Sequence, residues 1–423
     1  MQIVAIPLFN KEMGAEAYIF RDFKNNLLFS QAQAIGQFDG ASKVESLRVL
    51  DEVGLDSFTL GKPIFVPIQE VALMGNLPTQ CRESAEKIVF VLEKPFSNRD
   101  LYLPLMTELT SRGYRFAINY SIDHAPNDPV LASSSFILLS QRGEKIQETH
   151  KTLDHVRKYY RNLAPIATHI HTKEILKSAY GKNYSLYESK LYKTTSAEKQ
   201  IGPLKVNAIR LINTIQDENF DFDEVTKAVK GDPALTISLF KLVNTSSSIR
   251  NKINSIQHAV AMMGQREVRK WVTTAVSRSM GNDRPNEITR VSLLRAKFLE
   301  NLAPIFEMTH MSGELFLLGL FSVIDNLLEL PMEEALKQVV VSENIRKALV
   351  DETGIYHPIL TFAKEYESAS WDSISRAMIV NDIKSDQLFE AYLGALTWYR
   401  DLIAMDAEPD EPAELGQPEK AKK

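Results

Sequence analysis

The spacing of apolar residues changes character once along this chain, near Lys193, and that change limits the fold more than any other feature. Before it, short β-branched or aromatic runs at residues 4–8, 17–21, 64–68, 88–92, 115–120, 136–139 and 167–171 read as strands. Between several of them, Leu47, Leu50 and Val53, or Leu101, Leu105 and Leu109, recur at helical spacing. Strands separated by helices predict βα units and a largely parallel sheet. The unbroken run Ile88-Val89-Phe90-Val91-Leu92 suits a strand covered on both faces. A (β/α) barrel accommodates that many units, with its site at the carboxyl ends of the strands. An open doubly wound sheet is the alternative.

After the change, the helical period dominates. The polar stretch Thr194-Thr195-Ser196-Ala197-Glu198-Lys199-Gln200 and then Gly202-Pro203 mark a boundary, which predicts an α/β domain over 1–193, a linker over 194–203 and an all-α domain over 204–405. Leu204, Ala208, Leu211, Ile212 and Ile215 fall on one helical face, and the run from Leu315 to Ile324 is apolar all round, as in a central helix. Residues 406–423, with Pro409, Pro412 and Pro418 among mixed charges, read as a disordered tail.

Two domains suit a length of 423 residues. A net charge of -5 gives no electrostatic reason to expect nucleic acid as a partner. The single cysteine, Cys81, excludes an internal disulfide. Neither a signal-peptide pattern nor an apolar span long enough for a bilayer is found, so the expected location is the cytoplasm, without membrane contact.

In the second half, Asp232-Pro233-Ala234-Leu235, Leu242-Val243-Asn244, Ser255-Ile256 and Ala259 to Gly264 follow one another in an order that resembles the signature of the HDOD domain, a helical relative of the HD metal-dependent phosphohydrolases. Pro233 fits the first turn of a helix capped by Asp232. The later Arg295-Ala296, Gly319-Leu320-Phe321-Ser322 and Ala395-Leu396-Thr397-Trp398 resemble the extension found where HDOD follows an EAL domain. An active HD hydrolase would carry adjacent His and Asp metal ligands where this chain has Ser322-Val323, so the resemblance implies a lost hydrolytic site.

The first half resembles an EAL domain, the barrel that hydrolyses cyclic di-GMP. The anchors are Ala17-Tyr18-Ile19-Phe20-Arg21, where Glu-x-Leu-hydrophobic-Arg would sit, then Gly113 to Ile118, and the closing segment from Tyr184 to Tyr192 that contains Glu188. By this resemblance the polar positions of the enzyme are replaced. Ala17 stands at the first glutamate, with Glu16 one residue away, and Pro67 stands at the asparagine. Phe90 takes the third-strand glutamate, Asn119-Tyr120 the aspartate pair and Leu138 the lysine-bearing strand, while Thr168 and His171 take the later glutamates. The expectation is a degenerate member of the EAL-HDOD family with no catalytic residue, cofactor or metal. It would be a non-enzymatic signal-transduction regulator that binds signalling proteins. Two alternatives stand beside it: a receptor that binds cyclic di-GMP without cleaving it, and residual phosphodiesterase activity through Glu16, Glu93 or Glu188.

Other candidates have plainer readings. His169 and His171, two apart on an expected strand, would share a face and could ligate a transition metal with His124 or Asp123, yet partly exposed strand-end histidines read as well. His150, His155 and His258 read as surface or packing residues. Lys241, Arg250, Lys252, Arg266, Arg269 and Lys270 make a basic segment that a phosphate backbone could follow, although solvated helix faces look alike. Trp271, Trp371 and Trp398 read as packing anchors.

Overall fold

The computed structural model describes residues 2–23, 43–59, 61–119, 128–142, 146–189, 211–215, 217, 220–230, 242, 256–280, 286–328, 330–337 and 341–404. The expected boundary over 194–203, the expected tail, and Asp123, His124, Tyr120, Asp232, Pro233, Asn244 and Ser255 lie outside these residues.

Eight strands close into a barrel in chain order: β1 (Ile3–Phe9), β2 (Ala15–Asp22), β3 (Ile64–Ile68), β4 (Ile88–Leu92), β5 (Arg115–Asn119), β6 (Phe136–Ser140), β7 (Ala164–Ile170) and β8 (Leu186–Ser189). This decides between the barrel and the open sheet. Strands β2 to β8 run parallel, whereas β1 is antiparallel to both neighbours. The reason is the connection: β1 and β2 are joined by a tight turn in which the Asn10 side chain accepts from Gly14 N at 2.8 Å. Returning a strand parallel needs a crossover of a dozen residues or more.

Helices α1 (Glu45–Val53), α2 (Leu55–Thr59), α3 (Arg99–Ser111), α4 (Pro129–Ala132), α5 (Ile146–Tyr159) and α6 (Lys173–Tyr180) flank the strands. Leu47, Leu50 and Val53 are buried as their spacing predicts. In α3 the phase differs: Tyr102, Met106 and Leu109 face inward and Leu101 is exposed.

The rest is helical: α7 (Phe222–Lys230), α8 (Ile256–Met280), α9 (Asn286–Leu302), α10 (Ser312–Phe321), α11 (Ile324–Leu328), α12 (Met332–Leu336), α13 (Glu343–Arg346), α14 (His357–Glu367), α15 (Trp371–Val380) and α16 (Ser385–Ala404). The apolar run expected as one helix through Ile324 breaks at Ser322-Val323, between α10 and α11. Gly319 is fixed by close packing, because a Cβ there would lie 2.5 Å from Ala296 Cα on α9. Gly264 kinks α8 at φ 74°, where glycine alone is unstrained.

A hairpin brings no helix of its own, so the outer face of β1 and β2 must be covered from elsewhere. The helical half supplies the cover. Tyr18 donates to Glu287 Oε2 at 2.5 Å while Arg290 lies over its ring, 5.1 Å from the centroid. Gln2 accepts from Tyr366 OH at 2.6 Å and donates to the Ser385 carbonyl at 2.7 Å. Buried apolar residues of both halves accordingly form one continuous core.

Candidate functional site

Which strand residues face the barrel interior follows from one contact. Phe65 on β3 and Phe136 on β6 meet at 5.0 Å between centroids, and strands three apart can touch only across the lumen. Side chains alternate along a strand, so register carries that face around the barrel. Pairing of Ile19 with Phe65 puts Ala17, Ile19 and Arg21 inside. Pairing of Asn119 with Leu138, and of Ser140 with Thr168, puts those residues inside with Phe136. Pro67 and Glu188 also line the interior. Phe90 has the opposite parity: its ring stacks on Tyr114 at 5.4 Å and meets Phe116, while Val89 and Val91 are the interior residues of β4. The interior is therefore apolar over most of its depth, with polar groups gathered at the carboxyl ends of the parallel strands.

There a cavity of about 290 Å³ opens, lined by Arg21, Glu93, Arg142, His169, His171 and Glu188 among others. Arg21 and Glu188 form a two-point ion pair, Nη2 to Oε2 at 2.7 Å and Nε to Oε1 at 3.1 Å. Glu188 is 5% exposed. Burial works against its ionisation, but Arg21 and the backbone N–H of His169, 3.1 Å from Oε2, outweigh that and hold the carboxyl at about 2. The His169 N–H reaches Glu188 because the backbone turns left-handed at that residue, φ 61°, where the pairing of β7 with β8 shifts register. Such a conformation is uncommon for a side-chain-bearing residue and is held here by its surroundings.

This turn corrects the expected strand at 167–171. The strand ends at Ile170, so His169 and His171 are not alternate residues of a regular strand. Burial pushes the His169 imidazole down to about 4, and Arg21 and Arg142 add to that against the opposing charge of Glu188. Its Nδ1 lies 3.1 Å from Thr168 Oγ1 and 3.3 Å from Ser140 Oγ. Among the described residues no group of three or more His, Cys, Asp or Glu converges as metal ligands. Glu16 stands apart from the mouth, accepting from Asn10 at 3.0 Å.

The other wall of the cavity comes from the helical half. Ser368, Ala369, Trp371 and Asp372, at the corner between α14 and α15, line it. Trp371 packs edge-on against Phe23 at 5.6 Å and Tyr366 at 5.5 Å, which ties the corner to the end of β2. Arg21 belongs to the quoted first motif, but its partner lies 167 residues away; Arg142 and the corner carry no sequence signal.

At the second expected site, Ser322 accepts from Arg295 Nη1 at 2.7 Å and donates to the Gly319 carbonyl at 2.6 Å, and Val323 is buried. Of the basic segment, Arg269 donates to the carbonyls of Ile215 and Asp217, Lys270 pairs with Glu300, and Arg266 is exposed. Trp271 is buried, and Trp398 meets Phe316 edge-on at 6.1 Å. No helix among the described residues is long and apolar enough to cross a membrane.

Residues 201–354 match the family model described as HDOD domain. The chain is 25% identical over 416 residues to YuxH, an uncharacterized protein of Bacillus subtilis (strain 168), covering 95% of this chain and 98% of that one. It is 24% identical over 349 residues to a Vibrio cholerae protein named cyclic di-GMP phosphodiesterase CdgJ, covering 80% and 78%. Among solved structures, Klebsiella pneumoniae BlrP1 in a manganese and cyclic di-GMP complex aligns with TM-score 0.37 at 12% identity, over 45% of this chain and 55% of that chain. A standalone EAL protein from Vibrio cholerae O395, bound to cyclic di-GMP, aligns with TM-score 0.34 at 12% identity, over 45% and 90%. The match to the HDOD domain thus lies behind an eight-stranded barrel, and the similarity to YuxH runs through both.

Proposed function

We propose that this chain is a non-hydrolysing regulator in cyclic di-GMP signalling that works by binding other signalling proteins, with the barrel as scaffold and the helical half as output. What supports the reading is the barrel mouth. The carboxylate best placed for chemistry, Glu188, is spent on Arg21, and the lumen beneath is lined by Ile19, Pro67, Val91 and Leu138. Two-metal hydrolysis of a phosphodiester needs several carboxylates converging on the cations; Asp22, Glu93 and Asp372 also line the mouth, but among the described residues no three such groups converge. The cavity of about 290 Å³ lies at the lower edge of the roughly 300–1,000 Å³ of typical small-ligand pockets, and the corner at Ser368 walls one side of it.

A second reading rests on Arg21 and Arg142, two guanidinium groups on the same cavity that could meet phosphates. In that case the barrel is a receptor without turnover. Calorimetric titration of the full chain with cyclic di-GMP and magnesium separates the two. A flat titration in the micromolar range agrees with the scaffold, heat favours the receptor, and loss of the nucleotide removes both.

A further inference from the structure

The helical half and β1 enclose a second cavity, of about 360 Å³. Ala5 and Pro7 form its barrel side, and it reaches the Ser322-Val323 turn. Six charged residues line it, and four are matched. Glu287 accepts from Arg290 Nε at 2.7 Å and Nη2 at 2.6 Å, and Glu367 accepts from Arg295 Nη2 at 2.6 Å and Nε at 3.1 Å. Each is a two-point pair that cancels its own charge.

Lys364 and Asp325 remain. Both line the cavity, yet they form no ion pair with each other or with any other described residue. Asp325 accepts from the Asn326 side-chain amide at 3.0 Å, which leaves its charge uncancelled. Desolvation pushes the Lys364 ammonium down, with the Arg295 charge adding to it, and burial pushes the Asp325 carboxyl up. Neither group has an opposite charge in direct contact, although each lies in the field of the other and the more solvated Lys364 also feels Glu367 and Glu352. A purely anionic ligand would leave Asp325 unmatched, and a purely cationic one would leave Lys364 so. Apolar wall is supplied by Val291, Leu294, Val323 and Met332.

We propose that this cavity binds a small zwitterion with an apolar side chain, of the free α-amino acid class, its carboxylate on Lys364, its ammonium on Asp325 and its side chain against Val291, Leu294 and Met332. The volume lies within the roughly 300–1,000 Å³ common for small-ligand pockets. The site shares only the Ser368 wall with the barrel mouth and none of its charged groups, so its failure would leave the reading of the mouth untouched.

Calorimetric titration of the full chain with L-leucine and L-methionine tests it, with 4-methylpentanoate and 3-methylbutylamine as probes that keep one charge each. At least one amino acid binds, and each single-charge probe is at least tenfold weaker. Lys364→Met and Asp325→Asn each weaken the amino acid at least tenfold while the far-ultraviolet spectrum stays native. Lys364 is exposed, so its replacement is the variant that leaves folding intact. No heat from either amino acid up to millimolar concentration overturns the proposal. So does equal binding of 4-methylpentanoate, which would make the cavity a simple anion site, or unchanged affinity in Lys364→Met.

Discussion

The barrel mouth and the helical cavity are both places where a hydrolase would hold metal ions by resemblance, and both hold arginine–carboxylate pairs. They differ in what is left over. At the mouth, Arg21 and Glu188 close on each other above an apolar lumen, and the histidines beside them are pushed toward the neutral form. In the helical cavity the pairs Glu287–Arg290 and Glu367–Arg295 are also closed, but Lys364 and Asp325, which line the same cavity, make no contact ion pair. Charge closure argues for scaffolding at the first place, and open charge argues for a ligand at the second. The two share a wall, because Ser368 lines both cavities and directly follows Glu367.

The largest expected effect tests how firmly the helical cavity is built. Glu287 is 1% exposed and holds both Arg290 and Tyr18, so Glu287→Ala strands a buried guanidinium and should cost about 3–5 kcal/mol in denaturant unfolding. A loss under 1 kcal/mol, roughly that of a surface pair, would show that the pair is solvated instead.

At the mouth the same operation should cost less, since the stranded Glu188 keeps the His169 N–H and can take up a proton beside the cavity. Arg21→Ala is expected to destabilise by about 2–3 kcal/mol, below the range for fully buried pairs. It should also raise the Glu188 carboxyl, observable by carbon-13 NMR. An equal or larger loss than for Glu287→Ala would reverse the ranking of the two regions.

Acid sharpens the contrast further. His169 lies at about 4 against an ordinary 6.5, and Glu188 at about 2 against 4.5. In both cases the unfolded chain binds the proton more readily, so their stabilisation is complete above pH 6.5 and falls as pH drops. His169 loses its share between about pH 6.5 and 4, and Glu188 between about 4.5 and 2, each with a slope of at most about 1.4 kcal/mol per pH unit. His169→Gln should flatten the upper part of this curve. A curve identical to that of the parent between pH 4 and 6.5 would remove the imidazole from the account.

The smallest effect is the control. Arg266, whose side chain is 81% exposed, should change stability by no more than about 0.5 kcal/mol when replaced by alanine. A larger change would mean that surface cations matter in both regions, and the distinction between closed and open charge would blur.

Strands buried on both faces were the most legible part of the sequence. The ranges 64–68 and 88–92 agree with β3 and β4 to the residue, because an unbroken apolar run has abrupt ends. β8 was harder to see: Leu186-Tyr187-Glu188-Ser189 has a charge in the lumen, and only the ion pair with Arg21 makes that tolerable. The antiparallel β1 follows from the short Asn10–Gly14 connection, which leaves no room for the crossover that a parallel return needs, while strand spacing alone does not show it. The inner face of α3 is carried by Tyr102, Met106 and Leu109, so leucine spacing alone misplaces it. The site itself was least legible. Its groups come from β2, β7, β8 and the α14–α15 corner, and local periodicity carries no information about pairing over such distances.

The central claim, that the barrel does not hydrolyse, is tested most directly by incubating the full chain with cyclic di-GMP and magnesium or manganese, then separating the recovered nucleotide by chromatography. The account predicts intact cyclic dinucleotide at every time point. Enzyme-dependent appearance of the linear dinucleotide or of the mononucleotide would contradict it.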